Sequence, residues 1–329
     1  MKYTQLGRTG LKVSRLVLGT MNFGPQTDEA ESHAIMDAAL GAGINFFDTA
    51  NVYGWGDNKG RTEQIIGTWF AQGGGRRDKV VLATKVYGNM GSDGDSWPNH
   101  DRLSALNIRR AVDASLKRLQ TDYIDLYQFH HIDRRTPVEE IWQAVDTLIA
   151  QGKILYAGSS NFPGWKIAQT NETARRLGSY GLVSEQCLYN LAERRAEMEV
   201  IPAAQEYGLG VIPWSPLHGG LLGGVIKKET TGGRRASGRS ADALANTKVR
   251  EQVQAYEDLL AKHDLEPGEA ALAWLLTRPG VTGPIVGPRT AEQLESALRA
   301  VELELGEEVL AGLDSIFPGP GASPEAFAW

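Results

Sequence analysis

Short runs of apolar and β-branched residues alternate along the chain with longer segments in which apolar residues recur every three or four positions. The short runs have the length of a strand, whereas the longer spacing places side chains on one face of a helix. One such helical face carries Ile108, Val112, Leu116 and Leu119. This alternation predicts βα units and a parallel sheet. The predicted strands are residues 16–18, 44–47, 80–83, 123–127, 154–157, 182–184, 210–213 and 284–286.

Eight βα units follow one another without a linker or a change in composition, and this predicts one closed (β/α)8 barrel, a TIM barrel, as a single domain over residues 1–329. A doubly wound sheet is the alternative, but no strand is followed by the G-x-G-x-x-G turn of a dinucleotide-binding unit. Residues 2–6 and 11–13 flank a glycine-containing turn and predict a β-hairpin that caps the bottom of the barrel.

Two segments interrupt the alternation, residues 87–102 after the third strand and residues 215–247 after the seventh. Loops of this length in a compact domain commonly serve a function. Because the loops that follow strands lie on the catalytic face of a barrel, both segments are expected there.

Composition narrows the class of protein. Apolar residues make up 42% of the 329 positions and charged residues 22%, which is enough apolar material for a buried core. Asp and Glu number 40 against 34 Lys and Arg, and this net charge of −6 disfavours general binding to nucleic acid. A single cysteine, Cys187, excludes an intrachain disulfide and favours a reducing, cytoplasmic setting. The longest apolar run, residues 270–276, is too short to cross a membrane.

Polar residues at the strand ends form a coherent set. Asp48 follows the second strand, Tyr53 lies five residues further on, Lys85 follows the third strand and His130 the fourth. Because these strand ends meet at one mouth of a barrel, we expect the four groups to lie together. A nearby Lys85 ammonium would lower the pKa of Tyr53, and Asp48 would hold that ammonium in place. Such a set suits the protonation of a carbonyl oxygen.

Short motifs after successive strands resemble those of the aldo-keto reductases, a family of (β/α)8 oxidoreductases that use a nicotinamide cofactor. The resemblance spans nearly the whole chain, and its specificity comes from the order of the motifs. They are Gly19-Thr20-Met21, Asp48-Thr49-Ala50 with Tyr53-Gly54, Ala83-Thr84-Lys85, Asp125 to Gln128 with His130, Ser160-Asn161-Phe162, and Trp214-Ser215-Pro216-Leu217.

The resemblance implies a catalytic tetrad of Asp48, Tyr53, Lys85 and His130, with Tyr53 as the general acid and NADPH as the source of hydride. In this family, residues at the positions of Ser160, Asn161 and Gln186 bind the nicotinamide carboxamide, and an aromatic residue at the position of Trp214 stacks on the ring. The segment Gly219-Gly220-Leu221 resembles the stretch along the pyrophosphate, and Gly287, Arg289 and Gln293 resemble the grip on the 2′-phosphate. The remaining cofactor-binding positions that it implies are Gly19, Thr20, Met21, Asp48, Ser215, Pro216 and Leu217.

Three aromatic residues in the loops predict the substrate pocket, namely Trp55, Trp97 and His131. The two tryptophans would equally serve to anchor their loops, and His131 would alternatively be a packing residue. Adjacent histidines point in different directions and have no further ligand cluster, so no metal site is predicted. The leading hypothesis is an NADPH-dependent reductase of a small-molecule aldehyde or ketone. The alternative is a cofactor-sensing subunit similar to the potassium-channel β subunits of the same family, and physiological oxidation of an alcohol is a third. The sequence does not predict the substrate or the oligomeric state.

Overall fold

A computed structural model of the protein describes residues 1–91, 97–230 and 239–328. An N-terminal antiparallel hairpin pairs β1 (Tyr3–Gln5) with β2 (Lys12–Ser14). Within the described ranges, eight further strands form one parallel sheet. They are β3 (Val17–Gly19), β4 (Phe46–Asp48), β5 (Val81–Val86), β6 (Ile124–Phe129), β7 (Ile154–Ser160), β8 (Leu182–Gln186), β9 (Gly210–Val211) and β10 (Ile285–Val286).

Helices connect the strands and form an outer layer. In chain order they are α1 (Glu29–Gly41), α2 (Arg61–Ala71), α3 (Arg76–Lys79), α4 (Ala105–Leu119), α5 (Val138–Ala150), α6 (Gly164–Leu177), α7 (Val200–Glu206), α8 (Val225–Thr230), α9 (Arg239–Leu244), α10 (Thr247–Lys262), α11 (Pro267–Thr277), α12 (Ala291–Ala300), α13 (Glu307–Ile316) and α14 (Glu325–Ala328). Across the described residues no helix is both long and apolar enough to span a bilayer.

The predicted alternation of strands and helices is confirmed, and the sheet closes on itself. Its strand order runs β10-β3-β4-β5-β6-β7-β8-β9, and each neighbouring pair is parallel. At the seam, the Ile285 backbone N–H donates to the Pro213 carbonyl over 2.9 Å, and the Thr282 N–H donates to the Val211 carbonyl over 2.8 Å. These bonds join the two ends of the sheet, so the fold is the (β/α)8 barrel expected from the sequence.

The helical period predicted for α4 places its apolar residues against the barrel. Ile108, Val112 and Leu119 are fully buried, and Leu116 is partly buried against the same core. The Ser104 side chain accepts a hydrogen bond from the backbone N–H three residues on, which satisfies one of the unpaired donors at the start of the helix. The capping residue and the buried face of α4 therefore both match the helix that the apolar spacing predicts.

The predicted hairpin closes the bottom of the barrel. Leu6 and Val13 are fully buried in the apolar cluster that fills the lower interior. The Arg8 guanidinium donates to the carbonyls of Leu182 at 2.9 Å and Tyr207 at 2.8 Å, which ties the hairpin turn to the first residue of β8 and to the loop after α7. The buried Leu6 and Val13 side chains and the charge-assisted hydrogen bonds of Arg8 together close the bottom of the barrel, and these three residues form its floor.

The predicted strand ends were wrong in a consistent way, because β4 to β8 all continue past the ends predicted for them. Asp48, Lys85 and Gln186 lie within strands rather than after them. Their polar side chains satisfy one another inside the barrel, so polarity does not end the ladder there. The long segment 215–247 is also less irregular than predicted, because it contains α8 and α9. Residues 92–96 and 231–238 of the two predicted loops lie outside the described residues.

Candidate functional site

The Lys85 ammonium occupies the centre of the polar cluster at the upper end of the barrel. Strand β5 buries this side chain completely. Its Nζ lies 2.5 Å from Asp48 Oδ2, 2.8 Å from the Thr49 carbonyl oxygen and 3.2 Å from the Tyr53 hydroxyl. An ammonium has three N–H donors, and here each finds an acceptor. Three of the four predicted tetrad residues are therefore in direct contact.

Two glutamine side chains hold the other oxygen of Asp48. Gln128 Nε2 donates to Asp48 Oδ1 over 3.0 Å, and Gln186 Nε2 donates to the same atom over 2.8 Å. The sequence-based prediction named Gln186 for the cofactor and did not assign a role to Gln128. Gln128 lies directly opposite Lys85 in the pairing of β5 with β6. Because paired residues of neighbouring strands point to the same face of a sheet, this pairing is what identifies Gln128 as a member of the cluster.

Burial and charge act against each other on the pKa of Tyr53. Burial is the larger effect and raises that pKa above its usual value, and the Asp48 charge adds to the rise, whereas Lys85 lowers it. Lys85 acts in the expected direction, but the net shift is upward, because the phenol is withdrawn from water as well as placed beside a cation. Burial alone would lower the pKa of Lys85, but Asp48 and Tyr53 raise it. A protonated phenol thus lies beside a charged ammonium.

His130 joins the cluster from the end of β6. Its ring packs edge-on to the Tyr53 ring, with centroids 6.0 Å apart. Burial, together with the charges of Lys85 and His131, lowers the pKa of His130 to about 2. The imidazole is therefore neutral at physiological pH, with one nitrogen available as a donor and the other as an acceptor.

Two of the three predicted pocket residues border this cluster. The Trp55 ring lies 5.6 Å from the Tyr53 ring, and the His131 ring is stacked on His130 at 4.9 Å. The expectation that the two adjacent histidines point in different directions was therefore wrong, because their rings lie nearly parallel. Tyr87, which the sequence did not single out, packs edge-on against His131 at 5.3 Å. Trp97 is 71% exposed, so its ring is not buried among these aromatic residues. Aromatic rings therefore adjoin both Tyr53 and His130.

The turn after β7 links the predicted nicotinamide-binding residues. Asn161 has a left-handed backbone with φ of +58°. Its Oδ1 accepts from the Trp214 indole N–H over 3.0 Å, and its Nδ2 donates to the His130 carbonyl over 3.2 Å and to Ser160 Oγ over 3.1 Å. Gln186 lies opposite Ser160 in the β7–β8 pairing. The structure therefore brings Ser160, Asn161, Gln186 and Trp214 into one group beside His130.

The segment after β9 forms the predicted glycine turn. Gly219 and Gly220 both have positive φ, +67° and +97°, which glycine adopts without steric cost. Ser215 Oγ accepts from the Gly219 N–H over 3.2 Å and closes the turn. Pro216 and Leu221 are buried, and Leu217 is partly buried against the core.

The predicted 2′-phosphate residues lie at the start of α12. The Arg289 N–H donates to Gln293 Oε1 over 2.8 Å, and its guanidinium donates to Gln26 Oε1 over 3.0 Å. The Gly287 carbonyl accepts from Asn22 Nδ2 over 2.9 Å. Arg289 is partly buried, and among the described residues its guanidinium has one hydrogen-bond partner, the neutral Gln26 side chain, so it retains donors for an anion.

The first predicted cofactor motif has a largely structural environment. A Cβ at Gly19 would lie 2.5 Å from the Ile285 side chain, so glycine is needed there for the approach of β10. Thr20 is buried, and its hydroxyl donates to the Asp48 carbonyl over 2.9 Å. Met21, by contrast, is 49% exposed at the end of this segment.

The donor set at this mouth fits a nicotinamide cofactor. Gln186 Nε2 is directed to Asp48, which leaves Gln186 Oε1 to accept from an amide, while Ser160 and Asn161 supply hydroxyl and amide groups beside the Trp214 indole. A carboxamide needs this mixture of donors and acceptors together with an aromatic surface for its ring. Among the described residues, no three His, Cys, Asp or Glu side chains are grouped as metal ligands.

Comparison with known proteins agrees with the resemblance found in the sequence. Residues 15–317 match the model of the aldo/keto reductase family. The chain is 56% identical to an uncharacterized oxidoreductase, YrpG, of Bacillus subtilis over the full length of both proteins. It is 33% identical to versiconal hemiacetal acetate reductase of Aspergillus parasiticus, over 95% of this chain and 96% of that protein. It is also 36% identical to a probable voltage-gated potassium channel subunit beta of Oryza sativa, over 92% of each.

Proposed function

The chain belongs to the aldo/keto reductase family of oxidoreductases, and from this premise we propose that it reduces an aldehyde or ketone to the alcohol with NADPH. The family acts on small-molecule carbonyls and generally uses NAD(P)H. The observation that carries the proposal is the hydrogen-bonded chain from Tyr53 through Lys85 to Asp48.

Tyr53 acts as the general acid in this proposal. Its pKa is raised mainly by burial, so the phenol keeps its proton until negative charge develops on a substrate oxygen. Lys85, 3.2 Å from the hydroxyl, stabilises the phenolate that forms as the proton leaves. Asp48 holds the ammonium at 2.5 Å and is itself fixed by Gln128 and Gln186, so the group is preorganised before substrate arrives.

His130 orients the substrate carbonyl through a hydrogen bond and carries no positive charge. Because its pKa is lowered to about 2, the ring is a neutral hydrogen-bonding group at the pH of the cell. A neutral donor beside Tyr53 directs the substrate oxygen toward the phenol without competing for its proton. The aromatic residues Trp55, Tyr87 and His131 supply an apolar wall for the carbonyl substrate.

Ser160, Asn161 and Gln186 would hold the carboxamide of the cofactor, and Trp214 would support the nicotinamide ring. When bound, the reduced nicotinamide supplies the hydride. The Gly219–Gly220 turn carries no side chains, and a Cβ at Gly220 would meet nothing within 4 Å, so the turn would leave room for the pyrophosphate beside Leu221. Arg289 would bind the 2′-phosphate, and this guanidinium is the reason for proposing NADPH over NADH.

The wider setting of this activity is proposed on the same basis. A single domain over residues 1–329 would carry both cofactor and substrate sites, and the site would need no metal. A cytoplasmic setting remains a prediction from the single cysteine.

A cofactor-sensing subunit is the second candidate, and one observation favours it. A relative with 36% identity over most of its length is named as a potassium channel subunit beta. The two candidates differ in turnover, because a sensor needs tight dinucleotide binding without fast chemistry. The reverse reaction, oxidation of an alcohol, uses the same groups with Tyr53 as the base.

The proposal is tested by following NADPH oxidation with aromatic, aliphatic, dicarbonyl and sugar aldehydes, with NADH in parallel. We expect rapid NADPH-dependent turnover of at least one class. Tyr53→Phe should lose about 10²- to 10⁴-fold in kcat, which is the usual contribution of a general acid, while cofactor affinity is retained.

Tyr180→Phe is the matched control, because Tyr180 is 56% exposed and its ring lies against Arg8 of the hairpin turn, at the opposite end of the barrel. Normal turnover by Tyr53→Phe would refute the assigned acid. Tight NADPH binding by the wild-type protein without turnover of any carbonyl would favour the sensing subunit.

A further inference from the structure

A buried carboxyl group that the proposed mechanism does not use lies directly behind the turn after β7. Glu185 belongs to β8 and is fully buried. The next residue, Gln186, points into the barrel toward Asp48, so strand alternation turns Glu185 to the opposite face, beneath the turn. The pairing of β7 with β8 shifts register just before Glu185, between Ala157 and Ser159.

The two oxygens of this carboxyl bond to groups on either side of Ser160 and Asn161. A hydrogen bond joins Glu185 Oε2 to Ser159 Oγ, and the Phe162 backbone N–H donates to Oε1 over 3.0 Å. Among the described residues no Lys or Arg forms an ion pair with Glu185. The carboxyl therefore brackets the two residues that are proposed to contact the cofactor amide.

The bracketed turn has a conformation that needs support. Asn161 is a non-glycine residue in the left-handed region, where the backbone is strained. Its N–H donates to the Gln186 carbonyl over 3.0 Å, and its side chain contacts both the Trp214 indole and the His130 carbonyl. A small change in this backbone would therefore displace the Asn161 amide from both partners.

Burial makes the carboxyl a neutral group at pH 7. It raises the pKa of Glu185 to about 8, against the opposing hydrogen bonds from Ser159 and the turn. A neutral carboxylic acid has one donor and one acceptor, and a glutamine amide reproduces this pair in nearly the same volume. Leucine has similar bulk and neither group. The two substitutions therefore separate hydrogen bonding from packing.

We propose that Glu185 is a positioning residue for the cofactor amide: it fixes the Ser160–Asn161 turn, whose Asn161 N–H holds the Gln186 carbonyl, so that these side chains together with Gln186 distinguish a carboxamide from other groups on the pyridine ring. The inference rests on the proposed function, since it assumes that a nicotinamide dinucleotide binds at this mouth. Its consequence is selectivity for the amide rather than overall affinity or folding.

The test compares the affinities for NADP⁺ and its 3-acetylpyridine analogue, in which a methyl ketone replaces the carboxamide, by quenching of intrinsic tryptophan fluorescence. The wild-type protein should prefer NADP⁺ about tenfold, the usual worth of one hydrogen bond. Glu185→Gln should keep this preference, and Glu185→Leu should lower it to about threefold or less. Glu63→Gln is the control for loss of a buried carboxylate elsewhere, because Glu63 is also fully buried and accepts from Thr84 Oγ1 at 2.6 Å and from Arg118 Nε at 2.7 Å, away from the turn.

A tenfold preference in Glu185→Leu would overturn the proposal, as would loss of preference in the Glu63→Gln control. If Glu185→Leu does not fold, as judged by circular dichroism, Ser159→Ala takes its place and should lower the preference at least about twofold; an unchanged ratio there also refutes the role. Equal wild-type affinity for the two dinucleotides would refute the positioning role while the reductase proposal stands. Binding of neither would refute both.

Discussion

Replacing Lys85 by methionine should separate the stability of the buried ion pair from its chemical role. The change keeps most of the side-chain volume but leaves the Asp48 carboxylate, 3% exposed, with Gln128 and Gln186 as its side-chain donors. At 2.5 Å and an effective dielectric constant of about 20, the lost attraction is about 7 kcal/mol, most of which offsets the desolvation of the two charges. We therefore expect a net loss of about 3–5 kcal/mol in the free energy of unfolding, as for other broken buried pairs.

Urea unfolding measures this loss, and carbonyl reduction with NADPH measures the chemical one. Because the Tyr53 hydroxyl loses its only neighbouring cation of the tetrad, kcat should fall about 10²- to 10⁴-fold. The double variant Asp48→Asn with Lys85→Met removes both charges, so it should recover part of the stability and none of the activity. A stability loss below about 1 kcal/mol, or recovery of turnover in the double variant, would refute the reasoning.

Three further predictions concern Arg289, His130 and Glu185. Arg289→Leu should raise the KM for NADPH about tenfold or more and leave the KM for NADH unchanged, because only NADPH carries the phosphate; equal changes would contradict the assignment. Since the pKa of His130 is lowered to about 2, kcat/KM should show no imidazole titration between about pH 5 and 8, and an inflection near 6.5 that is lost in His130→Gln would contradict it. The pKa of Glu185 is raised from 4.5 to about 8, so its contribution to stability is present below 4.5 and is lost as the pH rises through 8. Urea midpoints should therefore fall from pH 5 to 8 more steeply in the wild type than in Glu185→Gln, and parallel curves would contradict the shift.

The sequence predicted the barrel and the four clustered residues for the same reason. Parallel strands that alternate with helices bring their C-terminal ends to one mouth, so Asp48, Lys85 and His130 could be placed together without coordinates. Tyr53 follows because its loop leaves the same end. The direction of its pKa shift could not be predicted, since that depends on how far burial outweighs a neighbouring charge.

The sequence did not predict the roles of residues whose partners depend on the register between neighbouring strands. Gln128 lies within a buried strand, where a polar residue gives no indication of its partner until the pairing with Lys85 is known. Glu185 follows a register shift, and such a shift arises from packing between strands rather than from either strand alone. The exposure of Trp97 likewise depends on the path of a loop, which local sequence patterns do not determine.

Because the floor lies at the opposite end of the barrel from Tyr53, stability and substrate selectivity can be engineered separately in this protein. Leu6, Val13 and Arg8 stabilise the end of the barrel that faces away from Tyr53, so thermostability can be improved there with no change in which substrates are accepted. The aromatic wall around His131 can be diversified in a library at the other end. Variants from the two ends should then combine additively, because no side chain of the floor contacts the wall within the described residues.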